Sequence, residues 1–183
     1  MSPRIEPLRP PFSADVQAAF DRIMPPGVPP LVLFTTLARD ARLYERFRNA
    51  ALLDKGHLTI RQREIVIDRV AARSGSQYEW GVHVAFFAAR AGLDEAMQRS
   101  LVHGSGADPC WSAEDRLLIR ACDQLHATCD LDDAIWHDLR ELLGELALME
   151  VLMLAGFYRT VAYLTNALRL PLESYAARFP PAP

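Results

Sequence analysis

The sequence of 183 residues contains only three cysteines, and none of them lies in a Cys-x-x-Cys pair. Cys110, Cys122 and Cys129 are odd in number and suggest no disulfide framework, so a reduced, cytoplasmic setting is expected. Cys122 and Cys129 are seven residues apart, which places them on one helix face if that helix continues, and they are interpreted as small apolar fillers.

Long apolar runs and clusters of basic residues are also lacking. The longest apolar run, from Val151 to Tyr158, is far shorter than the roughly 20 residues that a membrane-spanning helix needs. Residues 1–12 lack the apolar centre of a signal peptide, so we do not expect export. The net charge is −3 and there is no basic patch, so we expect neither nucleic acid nor a membrane among the partners.

Strand-like alternation of apolar and polar residues is not seen, and we predict an all-α fold. Half of the residues (50%) are hydrophobic, which suits one domain with a sizeable core. We divide the chain into a proline-rich segment with a short helix (residues 1–29), a helical domain (30–170) and a tail (171–183) that is ordered only if it docks.

Helix caps and breakers predict where the helices begin and end. Outside the central part of the chain, the predicted helices are Ser13 to Met24, two helices between Leu31 and Gly56 that separate near Asp40, Asp94 to His103, Ser112 to Ala127, Leu131 to Gly144, and Glu145 to Leu168. The last of them is apolar almost all round. We expect it to be partly buried in an oligomer interface through Leu146, Met149, Met153, Phe157 and Leu164.

The central stretch, from Leu58 to Leu93, is predicted to form two helices joined by a turn at residues 74–76. Thr59 and Gln62 have the spacing of a capping box at the start of the first helix. Gly92 is the expected stop of the second helix. We call these two helices and the Ser/Gly turn between them the hairpin.

Three polar residues of this hairpin are expected to share one pocket. Glu64 lies in an apolar stripe, where a carboxylate is unfavourable unless another group pairs with it. Glu79 and His83 are one helical turn apart, and a carboxylate at that distance raises the pKa of an imidazole. A simpler interpretation pairs Glu64 with Arg61 or Arg63 in a structural ion pair.

The spacing of Glu64, Ser76, Glu79 and His83 resembles the signature of the carboxymuconolactone decarboxylase and alkylhydroperoxidase D superfamily. In the peroxidase branch of that superfamily, redox cysteines occupy the positions of Ser76 and Glu79. The run Glu79-Trp80-Gly81-Val82-His83 is closer to the Glu-Trp-x-x-His of the decarboxylase branch.

Residues 34–39, 111–116 and 156–158 are similar to landmarks of a cysteine-less subgroup, so the resemblance covers residues 30–170. It implies an alkylhydroperoxidase D-like helical bundle that assembles into homo-oligomers (dimers, trimers or hexamers). It also implies a carboxy-lyase that acts on a small carboxylated lactone or a related intermediate of aromatic catabolism. Such a reaction needs no metal or organic cofactor, and we predict none.

For this reaction, His83 is the predicted catalytic acid and the partner of the developing enolate oxygen. Glu79 is expected to tune the pKa of His83, and Glu64 to orient its ring. The predicted substrate-binding residues are Ser76, Trp80, Phe87, Arg90 and Tyr158. Simpler roles also stay open for four of them: a helix cap for Ser76, packing for Trp80 and Phe87, and a core position for Tyr158.

Other functions remain as alternatives. An alkylhydroperoxidase-type antioxidant protein would need a thiolate and a resolving thiol, which Ser76 and Glu79 cannot supply. A non-catalytic helical oligomer that binds a ligand or a protein would have packed side chains and no cavity around Glu64 and His83. A metal site built on Glu64, Glu79 and His83 is the least favoured interpretation, since no His-Glu-x-x-His motif is present.

Overall fold

Residues 2–182, which the computed structural model describes, form eight α-helices and no β-strand. In chain order they are α1 (Ala14–Asp21), α2 (Val32–Leu37), α3 (Ala41–Asn49), α4 (Ile60–Arg73), α5 (Gln77–Ala91), α6 (Glu95–His103), α7 (Ala113–Thr128) and α8 (Asp133–Ala167). The predicted all-α class is confirmed. None of these helices is long and apolar enough to cross a membrane.

Helix α4 is the centre of the fold. Its capping box is formed: the Thr59 hydroxyl accepts from the Gln62 N–H at 3.2 Å, and the Gln62 side chain accepts from the Thr59 N–H at 2.9 Å. Every residue from Glu64 to Ala71 is buried, because α5, α7 and α8 all pack against this helix. Polar side chains in this stretch are therefore shielded from water.

Helix α5 begins and ends at the predicted residues. The Ser76 hydroxyl accepts from the backbone N–H of Glu79 at 3.4 Å and caps the helix. Gly92 has φ 65° and ψ 35°, a left-handed conformation that glycine adopts without steric strain. Together α4 and α5 form an antiparallel hairpin.

Two helices end earlier than the sequence predicts. Helix α1 ends at Asp21 rather than Met24. Helix α3 ends at Asn49 rather than near Gly56. Leu52 has φ 50°, outside the right-handed helical region, so the helix does not continue as far as Gly56. The chain between α3 and α4 is therefore a loop, and it forms one side of the candidate site.

Helix α8 is interrupted at Gly144, which has φ 76° and ψ 168°. The helical conformation resumes directly after it, so the predicted stop falls at the right residue. Beyond the break, Leu146, Met149, Met153 and Tyr163 are exposed, whereas Phe157 and Leu164 are half-buried. The oligomer interface along α8 stays a prediction.

The C-terminal tail docks on α5. The backbone N–H of Ala177 donates to the carbonyl of Gly81 at 3.0 Å. The Phe179 ring lies 5.3 Å from the Trp80 ring, measured between centroids. The tail thus covers the first turns of α5, while the division of the chain into three segments stays a prediction.

Gly81→Ala is expected to displace this tail, because a Cβ at Gly81 would overlap the carbonyl oxygen of Ala177. We expect the free energy of unfolding to fall by about 1–3 kcal/mol and the tail to be cleaved faster by protease. Chemical denaturation and limited proteolysis measure the two effects. The control is Gly156→Ala on α8, where a Cβ meets no atom within 4 Å and stability is expected to hold or rise slightly. Equal stability of the two variants would contradict the close contact at Gly81.

Candidate active site

His83 lies between two carboxylates in the interior of the protein. Its Nδ1 is 2.7 Å from Oε2 of Glu64, and its Nε2 is 3.3 Å from Oε1 of Glu79. All three side chains are buried. The antiparallel hairpin supplies Glu64 from α4, and the i, i+4 spacing on α5 supplies Glu79. The structure therefore brings together the three residues predicted to be catalytic.

The two carboxylates determine the protonation of His83. Burial alone would favour the neutral imidazole, but the charge and hydrogen bond of Glu64, aided by those of Glu79, outweigh it and raise the pKa of His83 to about 10. The ring is therefore an imidazolium at neutral pH. Its Nδ1–H group is hydrogen-bonded to Glu64, and its Nε2 lies within ion-pair distance of Glu79.

A guanidinium neutralises the remaining negative charge. Arg63 donates to Oε1 of Glu64 through Nε at 2.8 Å, and its Nη2 is 2.7 Å from the same oxygen. The Nη1 of Arg63 also donates to the carbonyl of Leu53 at 3.3 Å and so links the cluster to the loop between α3 and α4. Arg61 pairs instead with Asp115, at 2.9 Å. Glu64 thus has both the ion pair of the simpler interpretation and the bond to His83.

An apolar cavity of about 240 Å³ lies beside His83; we call it the His83 cavity. Its main apolar walls, contributed by α2, α3, α5 and α8, are Leu33, Phe34, Phe47, Phe86, Phe87 and Phe157. Four polar or charged side chains reach it: Glu79, His83, Arg90 and Tyr158. A largely apolar cavity with a few convergent polar groups is typical of a small-molecule site.

Phe87 lies between two guanidinium groups at the edge of this cavity. The Cζ atoms of Arg63 and Arg90 are 5.2 Å and 5.8 Å from the centroid of its ring. Arg90 is exposed and takes part in no ion pair within residues 2–182. A cation without a partner at the rim of an apolar cavity favours an anionic group on the ligand.

Tyr158 reaches the cavity from α8. Its ring packs edge-on against the ring of His83, with 5.1 Å between the centroids. Burial, followed by the negative charges of Glu79 and Glu64, raises the pKa of Tyr158 well above its usual value. The phenol therefore stays protonated and is able to donate a hydrogen bond, so its position suits both predicted roles, substrate contact and core residue.

Ser76 and Trp80 do not line the His83 cavity. The hydroxyl of Ser76 caps α5 and lies 2.8 Å from the hydroxyl of Thr165. Trp80 is 1% exposed and packs against Phe179 of the tail. The substrate contacts predicted for these two residues have no support in the geometry, and the simpler roles of cap and packing residue fit instead.

A third acidic residue lies in this cluster and was missed in the sequence. Asp68 on α4 is 1% exposed, and neither of its carboxyl oxygens has a hydrogen-bond partner among the described residues. Burial raises the pKa of Asp68 well above its usual value, with only the charge of His83 acting strongly against it. The signal was its spacing, since Asp68 follows Glu64 by one helical turn.

The acidic cluster is not arranged to bind a metal. Within residues 2–182, no group of three or more His, Cys, Asp or Glu side chains is placed to hold an ion.

The cysteines lie elsewhere. Cys122 and Cys129 line a different cavity together with His126 and Arg159. Burial, followed by the charge of Asp123, raises the pKa of Cys122 to about 12, so this thiol is a poor nucleophile at neutral pH. No cysteine lines the His83 cavity.

Comparison with solved structures gives the fold class first. The chain is similar to an uncharacterised peroxidase-related protein from Silicibacter sp. TM1040, with a TM-score of 0.83 over 97% of this chain and 96% of that chain, at 16% sequence identity. This likeness concerns the fold, which is the alkylhydroperoxidase D-like helical fold predicted from the sequence.

The family comparison concerns the central part of the chain. Residues 41–121 match the model of the carboxymuconolactone decarboxylase family, and this region contains the whole α4–α5 hairpin. No curated protein matches the chain. The resemblance to the carboxymuconolactone decarboxylase and alkylhydroperoxidase D superfamily is thereby confirmed.

Proposed function

We propose that the protein is a cofactor-independent carboxy-lyase that removes carbon dioxide from a small carboxylated lactone or a related ring compound. The main support is the imidazolium of His83, held between Glu64 and Glu79 at the wall of an apolar cavity. The family match supports the same class of reaction.

The reaction requires an electron acceptor within the substrate and a proton from the protein. The bond between the ring carbon and the carboxylate breaks, carbon dioxide leaves, and the electron pair moves into the adjacent carbonyl to give an enolate. The positive charge of His83 stabilises the enolate oxygen, and one proton then passes from His83 to the enolate carbon. Each turnover consumes one proton, which the protein must regain from solvent.

Nε2 of His83 is the donor that we assign to this step. Its contact with Glu79, at 3.3 Å, is longer than the 2.7 Å contact between Nδ1 and Glu64, so the Nε2–H is the easier one to redirect. The pKa of about 10 keeps His83 charged when the substrate binds. An enolate carbon is far more basic than an imidazole, so the transfer of the proton remains favourable.

The cavity walls favour the same reaction. Apolar rings exclude water, which strengthens the interaction between the imidazolium and the developing enolate charge. The carboxylate that leaves becomes neutral carbon dioxide, which an apolar wall accommodates better than an anion. Arg90, at the rim, supplies a positive charge for a carboxylate of the incoming substrate.

The test is release of carbon dioxide from a panel of small carboxylated lactones, with the same lactones lacking the carboxylate as blanks. Arg90→Gln is expected to raise KM about tenfold or more with little change in kcat, because one charge-assisted hydrogen bond to the substrate is lost. The matched control is Arg120→Gln, which removes an exposed charge on α7, away from the cavity. If no lactone of the panel releases carbon dioxide, the proposed reaction is wrong.

Two alternatives predict other outcomes in the same assay. A peroxidase would depend on a thiol, whereas the proposed lyase keeps its activity after cysteine alkylation. A non-catalytic binding protein was expected to have a packed interior beside His83, and the cavity of about 240 Å³ does not fit that expectation. The lyase is also proposed to be a cytoplasmic homo-oligomer, with the exposed apolar residues of α8 at the interface.

A further inference from the structure

Three buried polar atoms near the imidazolium have no hydrogen-bond partner among residues 2–182: Oδ1 and Oδ2 of Asp68 and Oε2 of Glu79. Buried carboxyl groups are nearly always hydrogen-bonded in folded proteins. An acid that stays unpaired at 1% exposure is unfavourable for the fold and therefore calls for a functional explanation.

The geometry of the hairpin places Asp68 beside Glu79. Glu64 on α4 meets His83 on α5, and the two helices run in opposite directions. One turn further along α4 therefore corresponds to one turn back along α5, where Glu79 lies. Asp68 itself does not line the His83 cavity, so it lies behind the groups that face the substrate.

The cluster is electrically balanced without Asp68. Arg63 and His83 supply two positive charges against the two carboxylates: Arg63 contacts Glu64, and His83 contacts both Glu64 and Glu79. A negative charge on Asp68 would have no counterion of its own in a region shielded from water. Asp68 is therefore a neutral carboxylic acid, which holds a proton in the resting protein.

The groups around Asp68 come from three helices. Glu64 on its own helix and Glu79 on α5 repel a negative charge there, and His83 on α5 attracts one. Tyr158 on α8 stays protonated and carries no charge. When His83 gives up its proton it loses the charge that attracts an ionised Asp68, and it becomes a base that is able to take a proton.

We propose that Asp68 returns a proton to His83 in each turnover, an inference that rests on the proposed carboxy-lyase activity. After the Nε2–H proton has bonded to the substrate carbon, His83 is neutral and basic. The O–H proton of Asp68 then passes through the carboxylate of Glu79 to Nε2 of His83, and Asp68 is left as a carboxylate. When the product leaves, one proton from solvent restores the acid.

Glu79 is suited to act as this relay. Its Oε1 contacts Nε2 of His83, and its Oε2 has no partner and is able to accept a proton. Glu79 also lines the cavity, so it connects the acid behind the site with the residue that faces the substrate. In this arrangement Asp68 acts through other residues and touches no substrate.

The first experiment needs no substrate. Infrared spectroscopy at neutral pH is expected to show the C=O stretch of a protonated carboxylic acid in the unmodified protein and to lack it in Asp68→Asn. Asp138→Asn, the same change at an exposed position of α8, is expected to retain the band. A spectrum without the band, or a band that survives in Asp68→Asn, overturns the proposal.

The second experiment separates the first turnover from those that follow. With a lactone that the unmodified protein decarboxylates, Asp68→Asn is expected to release one carbon dioxide per site at the normal rate. Its steady-state rate is then expected to be about 10- to 100-fold lower. Asparagine has nearly the size and shape of a neutral carboxylic acid, so the variant is expected to fold, and thermal unfolding verifies this.

The results distinguish a failure of this inference from a failure of the proposed function. A purely structural role for Asp68 slows both phases equally or slows neither, and each of these results overturns the reprotonation step. If the infrared band is present but the unmodified protein decarboxylates no lactone, both the proposed lyase activity and the reprotonation step are wrong. The protonated state of Asp68 is then still supported by the band.

Discussion

Replacement of His83 by glutamine is expected to lower the turnover number of the proposed decarboxylation by about 10³-fold or more. Glutamine fills a similar volume and still donates a hydrogen bond, but it has neither a positive charge to stabilise the enolate nor a proton to give. Steady-state kinetics of carbon dioxide release measure the effect. His137→Gln, at an exposed position of α8, is the control and should retain full activity.

In His83→Gln, a loss of activity caused by unfolding has to be distinguished from a loss caused by the missing proton donor. His83→Gln leaves two buried carboxylates with only Arg63 to balance them, and breaking a buried ion pair destabilises a protein by about 3–5 kcal/mol. The double variant His83→Gln with Glu79→Gln removes one of the two carboxylates and is expected to regain part of the stability and none of the activity. Activity within a few-fold of normal in folded His83→Gln would rule out the assigned acid.

The second large effect is a loss of stability at alkaline pH. Folded His83 keeps its proton up to a pH of about 10, whereas the unfolded chain releases that proton near 6.5. The stabilisation is therefore complete below pH 6.5 and is lost as the pH rises towards 10. At about 1.4 kcal/mol for each pKa unit, the loss of unfolding free energy amounts to several kcal/mol. Urea denaturation at a series of pH values measures it.

The titration of Asp68 also lowers the unfolding free energy as the pH rises, but this decrease begins at a lower pH. The unfolded chain loses the proton of Asp68 near pH 3.8, the ordinary pKa of an aspartate side chain, whereas burial raises the pKa of Asp68 in the folded protein well above that. Folding therefore takes up a proton at neutral pH, and the associated stability falls as the pH rises from about 4. Asp68→Asn is expected to stabilise the protein at pH 7, and His83→Gln to flatten the alkaline part of the curve. A stability that is constant between pH 6.5 and 9 would contradict the buried imidazolium.

The sequence was sufficient for those parts of the site that depend on local geometry. The capping box at Thr59, the short turn and the stop at Gly92 each depend on a few neighbouring residues, and together they define the α4–α5 hairpin. The candidate catalytic residues were found from their spacing on each of the two helices and from the resemblance of that spacing to the family signature. The antiparallel direction of the hairpin, which the structure shows, explains why Glu64 and His83 meet.

The parts that the sequence could not predict depend on distant segments. The docked tail covers Trp80 of α5, and Thr165 of α8 lies against the hydroxyl of Ser76, the N-cap of α5. Neither of these two residues lines the cavity. The choice of Arg63 over Arg61 as the partner of Glu64 depends on Asp115 of α7, which holds Arg61. Such contacts are not encoded in helical spacing.

The same limit applies to the cavity itself. Much of its apolar wall comes from the segment after α1, from α2 and α3, and from the loop after α3. The early end of α3 at Asn49 creates that loop. A pattern of three or four residues gives no information on which distant loop closes over a helix. Asp68 is a different case. Its spacing from Glu64 can be recognised in the sequence, but its burial can be seen only in the structure.

The position of His83 between two carboxylates makes the ring useful as a spectroscopic label. Its Nδ1–H proton lies in a hydrogen bond to Glu64 of 2.7 Å inside the protein, where exchange with water is slow. Protons of this kind resonate far downfield of the other signals in a proton NMR spectrum. The integrity of the catalytic cluster can therefore be monitored during purification or compound screening, before any substrate has been identified.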